Sequence, residues 1–101
     1  MQNSMINKNK LLSIKYSNTE LRNLIEEFLI QQKTIFTFTD LSSYIAYWAM
    51  EDGMASNNGN TLYESNKLQA KDQKRLLRAL DAIVRDGRIK VVGELYHKLQ
   101  A

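Results

Sequence analysis

Apolar residues recur at two periods along this chain, and the two periods divide it into helices and strands. Leu21, Leu24, Ile25, Phe28 and Leu29 stand at three- and four-residue steps, the spacing that gathers side chains on one face of a helix. Just before them, Ser17-Asn18-Thr19-Glu20 has the form of a capping box: the serine hydroxyl accepts a free amide of the first turn and Glu20 reaches back. This helix is expected to run to about Lys33. A second stripe, Leu41, Tyr44, Ile45, Trp48 and Ala49, follows Asp40, a suitable N-cap, and Gly53 suits the left-handed stop. Tyr44 and Trp48 are expected in the core, with Tyr47, about 100° away on the helix, at the domain edge. The third stripe is the clearest. Leu76, Leu77, Leu80, Ile83 and Val84 fall within about 100° of one another on a helical wheel, and Gly87 closes the helix.

Between the helices the period changes to two. Leu12, Ile14 and Tyr16 alternate with Ser13 and Lys15, which predicts a short strand over 10–16. Thr34 to Phe38 is β-prone, Met54 to Asn60 reads as a polar loop, and Thr61-Leu62-Tyr63 is a short strand candidate. Arg88 to Val92 and Leu95 to Leu99 read as a hairpin turned at Gly93-Glu94. The main helices lie too far apart for a plain helix-turn-helix, and an intervening strand explains the gap. The fold class predicted is α+β: a winged helix with a C-terminal β-hairpin wing and an extra N-terminal helix. The expected organisation is a disordered 1–9, an N-terminal strand-helix-strand segment over 10–38, and the winged helix over 39–101.

Length and composition narrow the function. A chain of 101 residues with 44% hydrophobic positions has room for one core, and no run approaches the roughly 18–20 apolar residues of a membrane helix. The polar N-terminus lacks the apolar centre of a secretory signal, and there is no cysteine for disulfide or thiolate chemistry, so an intracellular, cytoplasmic protein is expected. His97 stands without a second histidine, which argues against zinc. There is no glycine-rich phosphate cradle. The adjacent carboxylates Glu26-Glu27 and Glu51-Asp52 diverge on their helices. No catalytic, cofactor-binding or metal-binding residue is expected, and the chain reads as a binding module rather than an enzyme.

Charge adds a candidate site. Up to Glu64, seven acids face five bases; from Ser65 onward, nine bases face four acids. A basic C-terminal half invites an acidic partner. On the back of the third helix, opposite its leucines, fall Lys71, Lys74, Arg75, Arg78, Ala82 and Arg85, a positive ridge with a small residue in its middle. Asp81, four residues before Arg85, is placed for a helical ion pair. These five cations, with Tyr47, are the expected partner-binding residues.

Read from Ser42 to Val92, the chain resembles the second winged helix of the small subunit of the endosomal sorting complex ESCRT-II, the vacuolar protein-sorting-associated protein 25 family. The resemblance rests on Ile45, Tyr47-Trp48 and Glu51-Asp52-Gly53, then Asn60-Thr61-Leu62-Tyr63-Glu64, then Leu76-Leu77-Arg78-Ala79-Leu80, in the family's order and over about half the chain. It implies a scaffold that binds the N-terminal helix of an ESCRT-III subunit, with Arg78 at the position of the family's arginine. It also implies a hetero-oligomer with other ESCRT-II subunits, recruited peripherally to endosomal or other membranes. The chain departs from the family in having no proline, and in Ser65 where the family has leucine. The alternative from the residues themselves is a DNA-binding winged helix, with the ridge in the major groove and the hairpin as wing. A homodimer through the Leu21–Leu29 helix is a third possibility.

Overall fold

The computed structural model describes residues 11–31, 34–56 and 68–99; the sequence-predicted strand 61–63, the Thr-Leu-Tyr-Glu part of the family resemblance and the N-terminal 1–9 lie outside them. The described elements run β1 (Ser13–Ile14), α1 (Asn18–Gln31), β2 (Ile35–Phe36), α2 (Phe38–Glu51), β3 (Ala55–Ser56), α3 (Ala70–Arg85), β4 (Ile89–Val92) and β5 (Leu95–Lys98). This is a small α+β architecture of three helices and two antiparallel sheets. One sheet pairs β1 with β3, and the other has the order β2-β5-β4. No helix among the described residues is long and apolar enough to cross a membrane.

Local chemistry sets where the helices begin. At α1 the capping box forms as the sequence predicts: the Ser17 amide donates to Glu20 Oε1 at 2.7 Å and the Glu20 amide to Ser17 Oγ at 3.1 Å. At α2 the predicted cap, Asp40, is not the cap. Thr37 is, and Asp40 stands three residues inside, returning the second bond of another capping box at 2.9 Å. Both residues suit an N-cap. Thr37 takes the role because Asp40 can then answer it, and Phe38 becomes helical instead of extending the strand. Gly53 and Gly87 end α2 and α3 with positive φ, and Gly93 turns the β4–β5 hairpin in the same region of backbone space.

The N-terminal strand is shorter than its alternation suggests. Only Ser13 and Ile14 pair regularly, and their partners Ser56 and Ala55 come from the stretch expected to be loop. Leu12 bridges to Leu68, and the Gln69 amide donates to the Leu12 carbonyl at 2.8 Å. The backbone of 12–15 is thus bonded on both sides, to 54–56 on one and to 68–72 on the other.

One core collects both halves of the chain. Leu12, Leu21, Ile25 and Phe28 from the first third pack with Leu41, Ile45, Leu76, Leu80 and Ile83 in a single buried cluster. β2 pairs with β5, in the register Ile35 opposite His97 and Phe36 opposite Tyr96. The boundary expected between 38 and 39 is therefore not a boundary in packing: α1 is one of three core helices rather than an addition to a separate domain. An amphipathic helix must bury its apolar face against something, and for α1 that partner is mainly α3.

α3 buries a narrower stripe than its leucines suggest. Asp72, Leu76, Leu80 and Ile83 are buried, at steps of four, four and three, while Leu77, expected inside, is 41% exposed. Leu77 sits one residue, about 100°, round the helix from Leu76, beyond the line along which α1 and α2 press. Leu76→Ala is accordingly expected to lose about 2–5 kcal/mol, and Leu77→Ala no more than about 0.5 kcal/mol. Urea unfolding midpoints of the two variants measure this; equal losses would put Leu77 back in the core.

Candidate functional site

The narrow buried stripe of α3 leaves a broad outward face. Lys71, Lys74, Arg78 and Arg85 are all exposed on it, at steps of three, four and seven residues. On a rise of about 1.5 Å per residue they form a row about 21 Å long. None of the four makes an ion pair with another described residue. The helical pair expected between Asp81 and Arg85 does not form, although Asp81 is exposed on the same face. Ala82 is half-buried in the middle of the row. Among the predicted site residues, these four cations are therefore brought together and left open to solvent.

Arg75 belongs to a different group. Its guanidinium pairs with Asp72 at 3.0 Å, donates to Asn18 Oδ1 at 3.2 Å, and donates to the Tyr16 carbonyl. Asp72, 1% exposed, accepts from the Ile14 amide at 3.0 Å through its other oxygen. A buried carboxylate needs a charged partner and filled lone pairs, and Arg75 with the Ile14 amide supplies both. Arg75, expected among the partner-binding residues, is thus engaged within the chain, where it ties β1 and the start of α1 to α3. The sequence offers a weak sign of this, since Asp72 sits in the first turn of α3 on its leucine side.

Two further arginines are held in ion pairs near the surface. Arg22 of α1 pairs with Asp86 just past the end of α3 at 3.2 Å, and with Glu26 at 3.5 Å. Arg88 forms a two-toothed pair with Glu26, which holds the Glu26 carboxyl below its ordinary range, with Arg22 adding to the effect. Such a depressed carboxylate stabilises the fold above its unfolded pKa, and the contribution fades as pH falls through the lower folded value. Between α1 and α3 a cleft of about 260 Å³ opens, lined by Asn18, Arg22, Arg75, Arg78 and Ala79. Nothing in the spacing of Asn18 or Arg22 marks them for this cleft; only the packing of α1 on α3 brings them there.

The aromatic residues also part from expectation. Tyr47 is exposed, at 51%, as its place on the helix suggests, but Trp48, expected in the core, is 38% exposed. Their rings meet edge to face at 5.3 Å, and Tyr44 connects Trp48 inward to Phe28. Elsewhere, Tyr16 donates its hydroxyl to Asp52 at 2.7 Å; burial, reinforced by that carboxylate, raises the phenol far above its usual range. On the hairpin, β4 and β5 put Lys90, Val92, Leu95 and His97 on the face away from Ile89 and Tyr96.

Comparison of the chain with family models, with curated proteins and with solved structures gives no match.

Proposed function

We propose that this chain is a non-enzymatic winged-helix module that binds duplex DNA through the outward face of α3. The observation that carries the reading is the row Lys71, Lys74, Arg78 and Arg85, exposed and without ion pairs among the described residues. The order of elements supports it. α1, β2, α2, α3 and the β4–β5 hairpin, with β2 beside β5, follow the winged-helix order, in which α3 is the recognition helix and the hairpin the wing. The composition of the row also favours nucleic acid over protein. A protein interface is built on an apolar or aromatic centre, whereas the row has only the small Ala82 in its middle and Leu77 at its edge. Phosphate neutralisation requires nothing but cations, and arginine and lysine both read guanine in the major groove.

The test is a salt titration of duplex binding by fluorescence anisotropy. Four phosphate contacts give a slope of log affinity on log salt of about −3.6, a fall of roughly a hundredfold between 50 and 200 mM. Arg78→Glu with Arg85→Glu is expected to abolish measurable binding while leaving the thermal midpoint within a few degrees, because both side chains face water. Failure of the wild type to bind any duplex at low salt overturns the reading.

The exposed Tyr47–Trp48 pair favours a second reading, that of an adaptor in an ESCRT-II-like complex. Aromatic side chains are enriched at protein interfaces, and this pair lies within the stretch that resembles the ESCRT-II small subunit. The partner would then be an acidic, amphipathic N-terminal helix of an ESCRT-III subunit, with membrane recruitment through partner subunits. Binding of such a helix peptide, lost on Tyr47→Ala, together with no duplex binding at low salt, replaces the first reading with this one.

A further inference from the structure

The cleft between α1 and α3 adjoins the exposed row, and three of its five lining residues are arginines, one of which, Arg22, pairs with Asp86. Arg78 lines both the row and the cleft. Arg75 is held in place by its bonds to Asp72, Asn18 and the Tyr16 carbonyl, so it adds fixed positive charge to the wall of the cleft. Asn18 spends its side-chain oxygen on Arg75, which leaves its amide nitrogen as the donor end. Arg22 is different. Its bonds go to Asp86 at 3.2 Å and to Glu26 at 3.5 Å, and both lie near the surface, where such pairs are weak. Glu26 has a better partner in Arg88, which grips both its oxygens.

The duplex reading states what would enter. A helix seated in the major groove, about 12 Å wide, nearly fills it, so the sugar-phosphate strand that walls the groove runs along the helix's flank. The flank of α3 on the α1 side is Arg75, Arg78 and Ala79, the wall of this cleft. Ala79 is small enough to let a phosphate approach.

We propose that the cleft holds one backbone phosphate of the bound duplex between Arg22 and Arg78, and that Asp86 is an internal competitor that occupies Arg22 until the phosphate displaces it. The proposal rests on the duplex reading of α3. The two non-bridging oxygens of a phosphodiester can take a two-toothed, charge-assisted pair from Arg22, whereas Asp86 gives it one exposed carboxylate oxygen. The cost of binding includes breaking the Arg22–Asp86 pair, so the free protein holds a brake on its own affinity.

The experiment is a double-mutant cycle on the full chain with a duplex of about 20 base pairs at 100 mM salt. Asp86→Asn is expected to tighten binding about three- to tenfold, and Arg22→Gln to weaken it about tenfold with a salt slope shallower by about one. The deciding variant combines them. If Asp86 acts through Arg22, adding Asp86→Asn to Arg22→Gln produces less than a twofold gain. A gain as large as in the wild-type background means that Asp86 acts only as a general negative charge, and the cleft proposal falls while the duplex reading stands. Wild-type protein that binds no duplex takes both down. Thermal midpoints within a few degrees of wild type for all three variants confirm that folding is not what changes.

Discussion

Phe36→Ala is expected to destabilise the whole molecule by about 3–5 kcal/mol, and to do so in one cooperative transition. Phe36 is buried at the end of a two-residue strand, in edge-to-face contact with Phe28 of α1 at 4.9 Å and stacked on Tyr96 of β5 at 5.4 Å. Its side chain thus links the first helix to the last strand. Aromatic pairs of this kind add about 0.5–1.5 kcal/mol each beyond area burial, and truncation also leaves a cavity. At roughly 4–8 °C per kcal/mol for a domain near this size, the thermal midpoint should fall by well over 10 °C. Trp48 fluorescence, reporting on α2, and far-UV dichroism, reporting on all helices, should shift together. Two separate transitions, or a midpoint lowered by only a few degrees, would mean that 10–38 folds as its own unit and that the shared core is misdrawn.

Asp72→Ala is expected to cost about 3 kcal/mol, as large as many core truncations, although it removes a polar group. The carboxylate is buried, and its loss strands the Arg75 guanidinium and the Ile14 amide together. Asp72→Asn keeps an acceptor for the Ile14 amide and gives up the charge, so it should recover part of the loss. Amide exchange adds a local readout. Protection of Ile14 and of its neighbours in 13–16 should collapse in the alanine variant before α3 opens, since Asp72 and Arg75 are what hold that strand to the helix. A loss below about 1 kcal/mol, with exchange at Ile14 unchanged, would show that pairing with β3 alone suffices and that the buried ion pair is incidental to holding β1.

These two residues mark where sequence was informative and where it was not. The capping box at Ser17, the hairpin turn at Gly93 and the helix stops at Gly53 and Gly87 depend on a few neighbouring atoms, so their residues announce them. Asp40 suits an N-cap and is not one: Thr37 and Asp40 are both good caps three residues apart, and only the reciprocal bond between them decides which plays that part. Leu77 and Trp48 lie on apolar stripes yet stand partly in water, because a periodicity says which face is apolar and not how wide a strip the neighbouring helices cover. Asp72 has the opposite history: an acid in the first turn of a helix is ordinarily solvated, and only the approach of residues 14–16 makes it a buried anchor.

The candidate site divides in the same way. That α3 carries cations opposite its leucines follows from a period of 3.6 and needs no coordinates. Which of them face solvent without a partner does not, because most partners come from residues far apart in the chain: Arg75 donates to Tyr16 and Asn18, Arg22 pairs with Asp86, and Arg88 pairs with Glu26. Sequence alone determined the three helices, the terminal hairpin and the basic row, since each is written in short-range spacing. Tertiary structure alone decided that 12–36 shares one core with the rest, that Arg75 is withdrawn from the row, and that Arg22 joins it across a cleft. Those outcomes depend on which surfaces meet, and burial, charge pairing and cleft shape come into being only when they do.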